Sequence, residues 1–256
     1  MLHIFILSLI QGLTEFLPVS SSGHLILAEE AGITAQGLVS DIALHVGTLF
    51  AVCLYFGRDL WDIKKRLFKT RRLGDLEINL IVATIPAVAV GFFVRDIVET
   101  ALRSPIVIAA AAIVFGILLW LADKTSRSSK HMTQMRVWDA FCIGCAQCLA
   151  FIPGVSRSGI TMTCARWLGV KRSDSARFSM LLSVPTIFLG AAWVFYQAVR
   201  DAAPIVWPEL AAGIVFSAVF GWLAIGFLMR WVQHASFGVF AIYRIALGLV
   251  LLYYFL

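Results

Sequence analysis

Long apolar runs separated by short polar clusters dominate the hydrophobic pattern of this chain. A run of about 20 apolar residues is long enough to cross ~30 Å of hydrocarbon as an α-helix. The pattern therefore predicts membrane-crossing helices near 41–57, 78–94, 105–121, 178–199, 209–229 and 237–256. The predicted fold is an all-α integral membrane protein, a polytopic helical bundle.

Two further apolar stretches, 2–33 and 138–168, do not fit this template because Pro, Gly and Ser interrupt each of them in the middle. Such an interruption predicts a broken or re-entrant segment. Irregular backbone at membrane depth persists only where protein or water satisfies its polar groups. Both breaks are therefore candidate functional sites.

The two broken segments are copies of one another. A shift of 136 residues aligns 11–23 with 147–159 without a gap, and six of these thirteen positions are identical. The shared core is V-S-x-S-G, which reads VSSSG in the first copy and VSRSG in the second. Because three predicted crossings separate the copies, the second enters the membrane from the opposite side, as in an inverted-topology repeat. We expect a single membrane domain, 1–256, with repeats at about 1–121 and 137–256.

Composition and charge support the membrane assignment. Hydrophobic residues make up 60% of the chain and charged residues 14%, whereas a soluble protein has roughly 25% charged residues. The net charge of +6 would suggest a nucleic-acid partner in a soluble protein. Here the positive-inside rule explains it, because the basic residues concentrate in predicted cytoplasmic loops such as 58–72. We expect both termini to face outside, and no nucleic-acid partner.

The two Ser/Gly-rich breaks have the composition of an anion-binding site. Serine hydroxyls and free backbone N–H groups form anion-binding nests, and a following helix N-terminus adds positive charge. Arg157 lies within the second break and supplies a planar guanidinium suited to phosphate. The predicted phosphate-binding residues are Ser20, Ser22, Gly23, Gly154, Ser156, Ser158 and Gly159. The alternative is that these small residues only allow close helix packing.

Four residues are candidates for catalysis: Glu15, Ser21, His24 and Arg157. A carboxylate at membrane depth is costly and marks a functional site by default. Glu15 shares a helix face with Gln11, so the pair could hold a divalent metal, or Glu15 could act as a general base. Ser21 could be a nucleophile with His24 as its base or acid. The structural alternative is a buried ion pair between Glu15 and an arginine.

A second intramembrane arginine, Arg244, lies in the segment AIYRIALG. A buried guanidinium requires a partner, because desolvating an unpaired charge is costly. The expected partner is Glu15 or a phosphate group of the substrate.

Several stretches of the chain resemble, in order, the bacterial undecaprenyl-diphosphate phosphatases, which are bacitracin-resistance membrane phosphatases. They read QGLTEFLPVSSSGHL, DIALHVGTLFAV, IPAVAVG, PGVSRSG and FAIYR. In the family's pattern Gln11 and Glu15 match paired acidic or amide positions, and 20–24 match a serine–histidine loop. The resemblance places Gly154 and 156–159 in a phosphate-binding loop. Glutamine at position 11 leaves one carboxylate fewer for a metal than members with glutamate there.

The resemblance implies a membrane phosphatase. Its reaction removes the terminal phosphate of undecaprenyl diphosphate, a C55 polyprenyl lipid, and so recycles the lipid carrier for peptidoglycan and cell-wall synthesis. It also implies a divalent cation, Mg²⁺ or Ca²⁺, with Glu15 and Gln11 as its ligands. The expected location is the bacterial inner membrane, with the site open to the periplasmic face. The expected partners are the polyprenyl diphosphate and membrane lipids, and whether two copies form a homodimer stays open.

Two other classes of protein remain compatible with these patterns. Inverted repeats with broken helices are typical of transporters, so the chain could be a carrier or flippase for an anionic lipid or solute. A carrier needs groups that bind its cargo but no nucleophile or general acid, so Ser21 and His24 favour an enzyme. A membrane protein without chemistry would leave the intramembrane ionisable residues unexplained.

Overall fold

The computed structural model describes residues 1–30, 32–33, 37–127, 129–202 and 206–256. These residues form α-helices and two short 3₁₀ helices, Met132–Gln134 and Cys148–Phe151, with no β-strand among them. The α-helices are α1 Leu2–Phe16, α2 Ser21–Glu30, α3 Leu38–Tyr55, α4 Gly57–Thr70, α5 Asp75–Ala101, α6 Pro105–Thr125, α7 Val137–Gln147, α8 Arg157–Trp167, α9 Arg172–Arg200, α10 Trp207–His234 and α11 Gly238–Phe255.

The predicted crossings fall on α3, α5, α6, α9, α10 and α11. In the described part of the chain, α6, α9, α10 and α11 are each long and apolar enough to cross a membrane alone. The helix α3 meets the same criterion only together with α4, which continues it after a bend of 75°. The prediction of an all-α polytopic membrane protein is confirmed.

Both broken segments interrupt their helices at a proline. The helix α1 ends at Phe16 and α2 begins at Ser21, while α7 and its 3₁₀ extension end at Phe151 before α8 begins. A proline forces the preceding residue into extended backbone. Leu17, before Pro18, has φ −70° and ψ 145°, and Ile152, before Pro153, has φ −75° and ψ 117°. The prolines therefore end the first half-helix in each break.

The basic segment predicted as a cytoplasmic loop is largely helical. Residues Gly57–Thr70 form α4, none of whose residues is buried. Its apolar side chains recur at helical spacing, with Leu60, Ile63 and Leu67 on one face and Lys65 and Lys69 on the opposite face. This amphipathic periodicity explains why the segment is helical.

The first helix of each repeat packs against a long helix of the other repeat. The helix α1 packs on α10, and α7 packs on α5. The shift of 136 residues that aligns the sequence copies also relates α1 to α7 and α5 to α10. A Cβ at Gly144 would come within 2.5 Å of the Ala83 carbonyl oxygen, so only glycine allows α7 this close to α5. The division into repeats at 1–121 and 137–256 stays a prediction.

A buried ion-pair cluster ties the end of α8 to three other elements. Asp123 of α6 accepts hydrogen bonds from Arg166 at 3.0 Å, from Arg172 at 2.9 Å and from the backbone N–H of Phe237 at 2.9 Å. The Arg166 side chain is 1% exposed and that of Asp123 is 4% exposed. Buried charges are usually paired and hydrogen-bonded in this way, because desolvating an unpaired charge is costly. The cluster therefore anchors α8 at the end opposite its first residue, Arg157.

Candidate active site

The same turn precedes the second half-helix of each break. Ser20 and Ser156 have φ values of 75° and 70°, which are unusual for residues other than glycine. The Ser20 Oγ accepts a hydrogen bond from Gly23 N at 3.4 Å, and the Ser156 Oγ accepts one from Gly159 N at 3.1 Å. Each serine thus caps the helix that follows it. Strained, capped turns of this kind cluster at functional sites.

The two turns contact each other directly. The backbone N–H of Gly154 donates to Ser20 Oγ at 3.2 Å, and Ser158 Oγ donates to the Leu17 carbonyl at 2.9 Å. Gly154 has φ 94°, and a Cβ there would lie 2.5 Å from the Ile108 carbonyl oxygen. This position therefore requires glycine both for its backbone conformation and for its close approach to α6. The structure brings together the two loops that the sequence singled out.

Glu15 is the point where the two halves of the site meet. Its Oε1 accepts a hydrogen bond from Arg157 Nη2 at 2.8 Å, and its Oε2 accepts one from Ser21 Oγ at 2.7 Å. Gln11 Nε2 donates to the same Oε2 at 3.1 Å. The side chains of Glu15 and Arg157 are 10% and 14% exposed, respectively. One carboxylate thus organises a hydroxyl, a guanidinium and an amide.

Ser21 and Arg157 hold equivalent places, because each is the first residue of its half-helix and they differ by the repeat shift of 136. The counterpart of Glu15 under the same shift is Phe151. A Cβ at Gly91 would lie 2.6 Å from the end of the Phe151 ring, so this ring packs closely on α5. The repeat therefore supplies two similar loops but only one carboxylate, and the described residues form one hydrogen-bonded cluster of this kind.

His24 is oriented differently from the sequence-based hypothesis, which paired it with Ser21. Its Nδ1 lies 2.6 Å from the Ser20 carbonyl oxygen, and its Nε2 lies 2.6 Å from the hydroxyl of Tyr243. Among the described contacts, the hydroxyl of Ser21 is bonded to Glu15 and not to His24. The four-residue spacing along α2 turns His24 back to Ser20, while Ser21 at the start of the helix faces α1.

Arg244 does not contact Glu15, the first of its two expected partners. It bonds the carbonyl oxygens of Gly154 at 2.9 Å and Val155 at 2.7 Å through Nη2, and not Glu15. Its side chain is fully buried. Arg244 lies on α11 next to the second turn, so the partners within its reach are the backbone oxygens of that turn. Sequence reasoning noted Arg244 but missed its neighbour Tyr243, although both belong to the FAIYR stretch.

A cavity of about 290 Å³ opens beside the cluster. Gln11, Ser21 and Ser22 line one part of it, and the other polar residues of its wall are His45, Asp41 and Arg103. Leu25, Ile26, Phe151 and Pro153 contribute apolar surface. A largely apolar cavity with a few convergent polar groups is typical of a ligand site. Its mixed lining suits an anionic headgroup that carries an apolar chain.

The residues around Glu15 fit a divalent cation only in part. No group of three or more His, Cys, Asp and Glu side chains in the described part of the chain is arranged to hold a metal. However, Gln11 Oε1 is buried without a hydrogen-bond partner, beside the Glu15 carboxylate. Magnesium is commonly held by one or two carboxylates together with substrate phosphates and water. Glu15 and Gln11 therefore fit a cation that shares its ligands with a phosphate, and do not form a complete protein cage.

Comparison with known proteins matches the chain over residues 4–250 to the family described as bacitracin resistance protein BacA. An undecaprenyl-diphosphatase of Teredinibacter turnerae is 44% identical over 258 residues, which cover 98% of each chain. An undecaprenyl-diphosphatase of Desulforudis audaxviator is 47% identical over 252 residues, covering 96% of this chain and 95% of that protein. Undecaprenyl-diphosphatase 2 of Stutzerimonas stutzeri is 42% identical over 267 residues, covering 100% and 98%.

Proposed function

Because this chain belongs to the bacitracin resistance protein BacA family, we propose that it is an undecaprenyl-diphosphatase with Glu15, Ser21 and Arg157 as its catalytic groups. It hydrolyses undecaprenyl diphosphate to undecaprenyl phosphate and inorganic phosphate, and so recycles the lipid carrier for cell-wall synthesis. The observation that carries the residue assignment is the single carboxylate of Glu15, which accepts hydrogen bonds from both Ser21 and Arg157.

Ser21 is the nucleophile and Glu15 is its general base. With the hydroxyl 2.7 Å from Glu15 Oε2, the proton passes to the carboxylate as Ser21 Oγ forms a bond to the terminal phosphorus. The bond from that phosphorus to the bridging oxygen breaks, and undecaprenyl phosphate leaves. A water molecule then attacks the phosphorus of the phosphoseryl group, and the bond from phosphorus to Ser21 Oγ breaks. Glu15 returns its proton to Ser21 Oγ, and the phosphate leaves with the two protons of the water. This division of labour follows the general pattern of a nucleophile held by an adjacent base.

Arg157 and the two turns bind the phosphate. The guanidinium of Arg157 uses Nη2 for Glu15 and Nη1 for the Ser179 carbonyl at 3.3 Å, which holds the fork at the start of α8. Positive charge here stabilises the negative charge that spreads over the transferred phosphoryl oxygens. The helix N-termini at Ser21 and Arg157 add partial positive charge. The backbone of 20–24 and 154–159 thus surrounds the terminal phosphate.

A divalent cation, Mg²⁺ or Ca²⁺, is proposed to bind with the diphosphate and to neutralise part of its charge. Glu15 and Gln11 are the protein oxygens available to it, and Gln11 Oε1 has no hydrogen-bond partner in the structure. Phosphate oxygens and water would supply the remaining ligands.

The protein is a membrane protein, and we assign it to the bacterial inner membrane with the active site open to the periplasmic face. This orientation is supported by the concentration of basic residues in segments between predicted crossings, such as 58–72, most of which forms α4. The transporter alternative is not favoured, since the relatives are named as diphosphatases and Ser21 bonded to a carboxylate is a nucleophile that a carrier does not need.

Replacing Ser21 by alanine tests the nucleophile. In purified protein with undecaprenyl diphosphate and Mg²⁺, we expect Ser21→Ala to lower kcat for phosphate release at least about 100-fold, the scale for loss of a catalytic group. Substrate labelled with ³²P on the terminal phosphate should leave acid-stable label on the wild-type protein and none on the variant. Ser129→Ala, at an exposed serine outside the site, is the control. Activity of Ser21→Ala within tenfold of wild type, with no label on either protein, would show that water attacks directly.

Changing Gln11 tests the cation. Chelation by EDTA should abolish phosphate release, and added Mg²⁺ should restore it. Gln11→Glu adds a second carboxylate and should lower the Mg²⁺ concentration that gives half-maximal activity, whereas Gln11→Met should raise it. Electron paramagnetic resonance with Mn²⁺ measures the same change in binding without relying on turnover. Full activity in EDTA, together with no change in Mn²⁺ binding between the variants, would contradict the cation site.

A further inference from the structure

The helix α11 presents adjacent side chains to both loops of the active site. Tyr243 bonds His24 of the first loop through its hydroxyl at 2.6 Å, and Arg244 bonds the Gly154 and Val155 carbonyl oxygens of the second loop at 2.9 and 2.7 Å. Successive side chains of an α-helix point about 100° apart, so neighbouring residues can reach two different loops. We propose that Tyr243 and Arg244 are positioning residues that hold the two loops in register. The proposal rests on the function proposed above.

The contacts close into a ring of hydrogen bonds that starts and ends on α11. Tyr243 bonds His24, and His24 bonds the carbonyl of Ser20 at 2.6 Å. Ser20 Oγ accepts from Gly154 N at 3.2 Å, and the Gly154 carbonyl accepts from Arg244. Ser20 and Gly154 belong to different repeats, so the ring spans both halves of the site. Ser21 and the Arg157 loop adjoin this ring directly, and both must reach Glu15.

Arg244 is not explained by packing. Its counterpart under the 136-residue shift is Ile108, and the two occupy matching places. A Cβ at Gly23 would lie 3.2 Å from the Ile108 side chain, and a Cβ at Gly159 would lie 2.8 Å from Arg244 Nη1. An apolar residue therefore fills this place in the first repeat. Burying a guanidinium is costly. In the second repeat the guanidinium of Arg244 bonds the two carbonyl oxygens of the loop.

Nothing in the described part of the chain pairs the Nε and Nη1 atoms of Arg244. A buried arginine that serves only stability would normally have its charge neutralised by a carboxylate, as Arg166 does with Asp123. Arg244 instead directs its charge at the backbone of the second loop, close to the start of α8. The geometry fits a residue that fixes the loop carrying Arg157.

Tyr243 fixes His24 in one orientation. A backbone carbonyl only accepts hydrogen bonds, so the Nδ1 facing Ser20 O carries the proton and Nε2 accepts from the Tyr243 hydroxyl. The two rings are also parallel within 4°, with centroids 5.7 Å apart. The tautomer and the ring plane of His24 are thereby set. Since His24 bonds the carbonyl of Ser20, this also fixes the turn that leads to Ser21.

The test compares conservative variants for catalysis and for fold. Tyr243→Phe keeps the ring and removes the hydroxyl, and Arg244→Lys keeps the charge and removes the planar fork. We expect each to lower kcat about tenfold or more, as loss of one aligned hydrogen bond or a ~1 Å shift can do. The KM for undecaprenyl diphosphate and the melting temperature in detergent should change little. Tyr253→Phe, at an 86% exposed tyrosine of the same helix, is the matched control.

The double variant distinguishes positioning from independent effects. If both residues belong to one ring, Tyr243→Phe combined with Arg244→Lys should lose less activity than the product of the single losses. Arg244→Met should lose more than Arg244→Lys, because lysine still donates to one carbonyl. Single variants with kcat within twofold of wild type would overturn the proposal. The proposal would also be overturned if each loss of kcat came with a fall in melting temperature and disappeared when kcat was measured on the folded fraction alone.

Nuclear magnetic resonance of ¹⁵N-histidine-labelled protein gives a readout that does not depend on turnover. The His24 resonances, assigned by His24→Gln, should report the Nδ1–H tautomer in the wild type. Tyr243→Phe should move the Nε2 resonance, and the Tyr253→Phe control should not. An unmoved resonance would overturn the role of Tyr243. Failure of the wild type to release phosphate would instead contradict the proposed function, while the His24 signal would still report the ring.

Discussion

Replacing Glu15 by glutamine is expected to lower kcat for phosphate release by about 100-fold to 10,000-fold, the range for loss of a general base. The amide has nearly the same shape as the carboxylate but does not accept the proton of Ser21, whose hydroxyl lies 2.7 Å from Oε2. It also leaves the charge of Arg157 unpaired, because Arg157 Nη2 lies 2.8 Å from Oε1. Both halves of the site thus lose their common partner.

The measurement is release of inorganic phosphate from undecaprenyl diphosphate by protein purified in detergent, with melting temperature recorded for each variant. Thr14→Ala is the matched control, because Thr14 adjoins Glu15 on α1 but bonds only the Ile10 carbonyl among its described contacts. Glu15→Asp keeps the charge and should retain more activity than Glu15→Gln. A folded Glu15→Gln protein with kcat within tenfold of wild type would remove Glu15 from the chemistry.

Replacing Arg157 by alanine is the second large effect, with kcat/KM expected to fall about 100-fold to 1,000-fold. Loss of one preorganised donor to a developing anion has this magnitude. Arg157 is 14% exposed and is held by Glu15 and by the Ser179 carbonyl, so its guanidinium is already oriented before the substrate binds. Lysine supplies a point charge without the planar fork, and Arg157→Lys should lie between alanine and wild type.

The pattern of kinetic constants tests the role of Arg157. If it binds phosphate in the ground state and in the transition state, Arg157→Ala should raise KM and lower kcat together. Arg230→Ala, at an exposed arginine of α10, should leave both constants near wild type. An Arg157→Ala protein that binds and turns over substrate normally would reduce the Glu15–Arg157 ion pair to a structural contact.

Much of the site could be predicted from the sequence because its signals are local. The two V-S-x-S-G copies, each with a proline one or two residues before it, mark the turns at Ser20 and Ser156. The proline ends one helix and the serine caps the next, so the position of each turn is a local signal. The positive φ of Ser20 and Ser156 is not a local preference of serine. The embedded charges of Glu15 and Arg157 were conspicuous because ionisable residues are rare at membrane depth.

The pairing of side chains is harder to predict, and two expected contacts are absent from those that the structure describes. His24 was expected to bond Ser21 and instead bonds Ser20 and Tyr243. Arg244 is expected to bond Glu15 or a phosphate group of the substrate; it bonds loop carbonyls and not Glu15, and its contact with phosphate stays a prediction. In both cases the partner lies about 90 or more residues away or belongs to the backbone, and residue types alone do not specify such contacts.

The sequence by itself determined the class of the protein, its helices, its two breaks and the residues that carry charge into them. These features depend on the hydrophobic length of each segment and on local backbone preferences, which a linear chain displays directly. Only the tertiary structure decided that Ser21 and Arg157, equivalent positions of two repeats, meet on the single carboxylate of Glu15. It also placed Tyr243 and Arg244 of α11 against both loops. Such contacts depend on how the helices pack, and packing depends on the complementary shapes of surfaces that are far apart in the sequence.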